Sequence, residues 1–148
     1  MNLSQPLLDA ISAYHDNYRH PRLARPDVSG VYALFPDDPV SAHAQYRWPQ
    51  TWPHSDRPGV YLILDGDMRL RYVGKANRIG ARLSAYFQYA KDTRGCHIAH
   101  TTWKSRPMFV VTVALDKPFE ASAFEEYLIS ALQPEENVRG VGKSIDQL

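Results

Sequence analysis

Two adjacent carboxylates, Glu125 and Glu126, sit in the run FEEYLI, and neighbouring side chains on a helix cannot point the same way. Glu125 has Ala121 at i−4, Leu128 at i+3 and Leu132 at i+7, an apolar stripe, whereas Glu126 has Ser122 and Ser130 at i±4. The spacing turns Glu125 inward. An inward carboxylate costs on the order of several kcal/mol in desolvation unless it is ion-paired or holds a metal ion. Arg82 and Tyr86, four apart, project from one face of a second helical run, while Lys75 closes YVGK with Tyr72 three residues before it. A carboxylate able to hold a metal, two cations and several phenols suit chemistry in which negative charge develops on a transferred group. Taken singly, each has an ordinary alternative: a buried ion pair for Glu125, a surface salt bridge for Arg82, core tyrosines for Tyr72 and Tyr86.

The elements that must position these groups follow from periodicity. GVYLIL, then DGD, then MRLRYVG reads as two strands joined by a tight turn. Asn77 can cap a helix over residues 78–90 with Ile79, Leu83 and Phe87 as its buried stripe. Gly80 inside that helix costs roughly 1 kcal/mol relative to alanine, which implies a packing or close-approach role. The β-rich run MFVVTVAL at 108–115 reads as a third strand, and Pro118 opens a last helix to about Leu132, before Pro134. Upstream, Leu7, Ile11, Tyr14 and Tyr18 at helical spacing predict a helix over 4–18. The segment between Pro21 and Pro58 is rich in proline and aspartate. Its short apolar run GVYALF and its tryptophans, Trp48 and Trp52, make it an extension that wraps on the remainder, not a domain of its own. The expected division is an extension over 1–58 and a core over 59–148.

Composition narrows the class. A chain of 148 residues supports one good core. A single cysteine, Cys96, excludes an intramolecular disulfide and suits a reducing, cytoplasmic setting. No run is long and apolar enough to span a bilayer. Net charge is only +1, yet Arg69, Arg71, Lys75, Arg78, Arg82, Lys91, Arg94, Lys104 and Arg106 face a single acid, Asp92, between 69 and 106. That basic segment suits a polyanion, with Arg71, Arg78 and Lys104 as candidate phosphate contacts. Cys96, His97 and His100 in GCHIAH lie on one short loop with no further ligand elsewhere, which argues for a polar loop over a structural zinc. With Trp103, that loop is placed to touch phosphates or stack a base.

GVY at 59–61, YVGK at 72–75, Arg82 in ARLSAYF, Glu125 in FEEYLI and the QPEEN ending at Asn137 together resemble the GIY-YIG nuclease family. The run YVGKANRIGARLSAYF is similar to the N-terminal nuclease domain of the bacterial excision-repair incision proteins. The resemblance covers residues 59 to about 138. It implies an α+β fold, a small three-stranded antiparallel sheet flanked by helices, and hydrolysis of DNA phosphodiesters with one Mg²⁺ or Mn²⁺ ion. Carried over by position, it makes Tyr61, Tyr72, Lys75, Arg82, Tyr86, Glu125 and Asn137 the catalytic set, Glu125 the metal ligand and Gly74 a point of close backbone approach. A second GVY at 30–32 is set aside, because Tyr32 lies forty residues before Tyr72 whereas Tyr61 lies eleven before it.

On this reading Arg82 and Lys75 neutralise charge on the transition state, Tyr72 and Tyr86 orient water and phosphate, and Tyr61 is the general base. That last role needs a phenol far more acidic than its ordinary pKa of about 10. A binding module that grips nucleic acid without cutting is the alternative, and RNA is admissible beside DNA. The extension leaves a homodimer or a protein partner open.

Overall fold

The computed structural model describes residues 1–90, 95–99 and 103–137. In chain order these form α1 (Gln5–Tyr18), β1 (Asp27–Val28), β2 (Tyr32–Ala33), β3 (Tyr46–Arg47), β4 (Gly59–Leu64), β5 (Leu70–Ala76), α2 (Ile79–Tyr86), β6 (Phe87–Ala90), β7 (Gly95–Ile98), β8 (Phe109–Ala114) and α3 (Ala121–Leu132). Lys91, Asp92, Arg94 and His100 lie outside the described residues, so their expected roles are not addressed by it.

The expected hairpin and third strand form an antiparallel unit in the order β8-β4-β5. The sheet does not stop at three strands. β1 and β2 both pair antiparallel with β8 on its free side, β3 adds parallel to β2, and the result is a mixed sheet of six strands. The correction has a local cause. Between β1 and β2 the chain bulges, and Ser29 holds the gap by donating its N–H to the Thr112 carbonyl (2.9 Å) while its hydroxyl accepts from the Thr112 N–H (3.0 Å). Two-residue strands carry too little periodicity to be read from sequence.

Strand alternation sorts the core into two layers. Val60, Leu62, Leu64, Val73, Phe109, Val111 and Val113 pack under α1 and α3 with Leu7, Ile11, Tyr14, Phe124 and Leu128. On the opposite face Tyr61, Ile63 and Val110 pack with Ile79, Leu83 and Phe87, together with Tyr32, Leu34 and Trp52 from the extension. Because both faces are covered, β4 and β8 are buried at every position, which is why they read as continuous apolar runs. The extension is also pinned by Arg19, whose guanidinium donates to Glu120 at 2.6 and 3.0 Å beside a hydrogen bond from the Tyr14 hydroxyl.

The helix expected over 78–90 ends at Tyr86, and Phe87–Ala90 turns into β6, paired antiparallel with β7. Phe87 is buried in either conformation, so the apolar stripe could not tell them apart. Gly80 has its expected close approach. Its N–H donates to the Ser55 carbonyl at 2.8 Å, and a Cβ there would collide with the Ser55 side chain.

Candidate active site

The site wraps around β5, the edge strand of the sheet. Antiparallel register sets Tyr61 opposite Gly74 and Ile63 opposite Tyr72, so Tyr61 and Tyr72 emerge on the α2 face. Tyr86 at the end of α2 meets both. The three rings lie 6.0 to 6.4 Å apart by centroid, and side-chain hydrogen bonds link Tyr86 to Tyr61 and to Tyr72. Gly74 is required by this cluster, because a Cβ on it would lie inside the Tyr61 ring. The close approach expected at Gly74 is therefore occupied by a phenol of the same chain.

Lys75, one residue on, faces the α3 side. Its ammonium donates to the Ser122 hydroxyl at 2.9 Å, and its backbone N–H donates to the Glu125 carboxylate. Ser122 is three residues before Glu125 on α3, so the two share a side of the helix. That spacing was the available signal for Ser122, which the sequence reading did not select. Glu125 is half-buried and Glu126 exposed, as the stripe predicts. Arg82 is exposed and its charge acts on Tyr61, Tyr72 and Glu125 together, joining the two sides of the strand.

Electrostatics separate the roles. Burial is the largest influence on Glu125 and pushes its carboxyl above the usual range, with Glu126 adding to the rise, while Lys75 and Arg82 oppose it. Its negative charge is thus incompletely balanced by the chain itself, which fits a bound cation. Among the described residues no group of three His, Cys, Asp or Glu side chains gathers to hold a metal. A site with one carboxylate suits Mg²⁺, which commonly keeps water and phosphate oxygens as its other ligands.

The surroundings of Tyr61 oppose the acidity that a general base would need. It is only 2% exposed, and burial, followed by Tyr86 and Tyr72 beside it, drives its phenol well above the ordinary value, with Arg82 only partly opposing. Tyr72 moves the same way, again chiefly by burial. In the metal-free chain burial thus favours the protonated phenol at both positions, which works against the general-base role expected of Tyr61.

Asn137 meets the backbone of β5. Its Oδ1 accepts the Val73 N–H at 2.7 Å and its Nδ2 donates to the Val73 carbonyl at 2.9 Å, closing the outward-facing backbone of β5 next to Tyr72 and Gly74. Glu125 does the same for Lys75, so the two residues latch one edge on either side of Gly74.

The expected nucleic-acid contacts divide. Arg71 is only 11% exposed in its side chain and is committed to Glu135 at 2.6 Å, with Glu136 and Asp65 near 4 Å, so it braces β5 and does not face a ligand. Arg78 and Lys104 are exposed, at 70% and 69%, in loose pairs with Asp56 and Glu135 that an incoming phosphate can replace. Glu136 also accepts the Lys104 backbone N–H at 3.2 Å, so QPEEN ties the loop after residue 103 to β5. No described helix is long and apolar enough to cross a membrane.

Comparison with known proteins agrees with this arrangement. The model of the UvrC-like GIY-YIG domain matches residues 57–138, which contain the three tyrosines, Gly74, Lys75, Arg82, Glu125 and Asn137. UvrABC system protein C of Ruegeria sp. is 34% identical over 113 residues, covering 75% of this chain and 17% of that protein. The same protein is 36% identical over 89 residues in Flavobacterium psychrophilum, covering 60% of this chain and 14% of the relative. In Pseudomonas putida it is 37% identical over 84 residues, covering 57% and 13%. The chain thus spans only a small part of the length of these relatives. No solved structure matches.

Proposed function

The chain belongs to the UvrC-like GIY-YIG domain family, and from that premise we propose that it is an endonuclease hydrolysing DNA phosphodiesters at the β5 edge. The observation that carries the reading is the gathering of Arg82, Lys75, Glu125 and three hydrogen-bonded tyrosines around one strand at the margin of the sheet. Structural packing alone gives no reason to aim a half-buried carboxylate, a solvent-facing guanidinium and phenols at the same point.

In hydrolysis the oxygen of water forms a new bond to phosphorus, one P–O ester bond breaks, and a proton passes from the water to the solvent while the leaving oxygen acquires another. Arg82 and Lys75 supply positive charge to the phosphate as it becomes more anionic. Tyr86, half-buried and in contact with Tyr61 and Tyr72, is the hydroxyl assigned to orient water or phosphate. Tyr61 and Tyr72, held protonated by burial, fix Tyr86 in place. One divalent cation, Mg²⁺ or Mn²⁺, held by Glu125, would supply Lewis acidity. Asn137 and Gly74 act by positioning. Arg78 and Lys104 extend the phosphate track. A cytoplasmic setting accords with this reading.

Plasmid nicking in Mg²⁺ against EDTA tests it. Glu125→Ala and Arg82→Ala are each expected to lower the rate by at least about a hundredfold, the usual scale for removing a charge-stabilising group, with circular dichroism unchanged. Nicking by Glu125→Ala at the wild-type rate would remove the assignment.

A further inference from the structure

A cavity of about 420 Å³ lies beside the tyrosine cluster, lined among others by Phe35, Cys96, His97, Trp103, Lys104 and Arg106. Resting on the nuclease reading above, we propose that it receives one unstacked nucleobase of the DNA strand whose phosphate lies at the β5 edge. The substrate class is then DNA with a single-stranded or extrahelical nucleotide beside the scissile phosphate, in preference to regular duplex.

Four observations carry this. Trp103 is shared between cavity and site, because its ring lies against Tyr72, 5.3 Å by centroid and 31° between planes. A base in the cavity is therefore one ring away from a site phenol, within reach of a single nucleotide step. Phe35 supplies a second aromatic wall, and the Arg106 guanidinium sits 4.0 Å from its centroid, a planar cation already stacked where a base would enter. Among the described residues no acid lines the cavity, whereas Lys104 and Arg106 do. Their partners, Glu135 at 3.3 Å and Asp38 at 3.9 Å, form part-exposed pairs open to exchange with a phosphate. The volume falls within the range of small-ligand pockets. Aromatic walls with a cationic rim and no acid suit a base joined to a phosphodiester and ill suit an acidic or aliphatic ligand.

Phe35 in the cavity wall and Asp38, the partner of Arg106, come from the extension, while Trp103 and Lys104 come from the core, so the docked extension supplies one aromatic wall. This gives residues 1–58 a part in substrate choice.

The test is binding of the full chain in EDTA, by fluorescence anisotropy, to three labelled duplexes: fully paired, carrying one unpaired adenine, and carrying an abasic residue at the same place. The unpaired adenine is expected to bind about tenfold tighter than the abasic site, the scale of one stacked base. Arg106→Ala and Phe35→Ala should bring that ratio towards one, Trp103→Phe should retain most of it, and Glu125→Ala should leave it unchanged. Equal affinity for adenine and abasic duplexes in the wild type would overturn the proposal. So would a ratio that survives in Phe35→Ala and Arg106→Ala. Because no metal is present, a base-dependent ratio without nicking in Mg²⁺ would count against the nuclease reading alone, and nicking with a ratio of one would sink the subsite alone.

Discussion

Tyr61 and Gly74 face each other across β4 and β5, and the phenol ring fills the space that a side chain at position 74 would need. The tyrosine of one motif thus dictates the glycine of the other, through sterics and not through backbone dihedrals. Gly74→Ala should displace Tyr61 from Tyr86, destabilise the fold by about 1–3 kcal/mol as overpacking does, and slow nicking more than that loss of stability explains. Thermal melts alongside initial rates check it. An unchanged melting temperature would show that the ring gives way freely.

Asn137 and Val73 make two buried hydrogen bonds at the open edge of β5. Asn137→Ala leaves a backbone donor and acceptor unpaired and should cost roughly 1–3 kcal/mol. Amide hydrogen exchange at Val73 should rise with it. Activity should fall through kcat, with KM little changed, as expected for a positioning residue beside Tyr72.

Burial raises the Glu125 carboxyl above its ordinary range, so the folded state holds this proton more tightly than the unfolded chain. As pH rises from the unfolded pKa through the folded one, the fold loses stability, and at neutral pH the ionised carboxylate is a net cost. Glu125→Gln in metal-free buffer should therefore raise Tm at pH 7, with the gain vanishing in acid, where the wild-type carboxyl is protonated in both states. Metal-dependent nicking should be lost in the same variant. A lowered Tm at pH 7 would contradict the sign.

Arg71 and Arg82 should fail in different ways. Arg71→Met removes the guanidinium that bridges Glu135 and Glu136 and leaves Glu135 to Lys104, which should lower the melting temperature. It should leave the salt dependence of DNA binding unaltered. Arg82→Ala should leave the melt nearly unchanged and weaken DNA binding in low salt, reducing the slope of affinity against salt by about one ion. Titrations at several salt concentrations separate them.

Deleting residues 1–56 should not release a stable core. β8 would lose its pairing to β1 and β2, and Val110, Ile79 and Phe87 would lose Tyr32, Leu34 and Trp52 from their layer. An unpaired apolar strand edge promotes association. The fragment is expected to aggregate on size-exclusion chromatography.

The hairpin, the third strand and the inward turn of Glu125 were legible because each rests on local periodicity extended over several residues. Spacing alone selected Glu125 over Glu126, and the structure places the first half-buried and the second exposed. The order of motifs along the chain carried the family, since motif order survives without knowledge of the fold. What only the tertiary structure decided depends on partners remote in sequence. Arg71 reads as a cation for phosphate until Glu135, sixty-four residues later, is found against it. Tyr61 reads as a base only by resemblance, and the burial that raises its pKa comes from residues remote in sequence. The strands of the extension are too short to show a period, and their stability comes from β8, eighty residues away along the chain. Local pattern sets which face a side chain takes; desolvation and pairing, which set what it can do there, are properties of everything that packs around it.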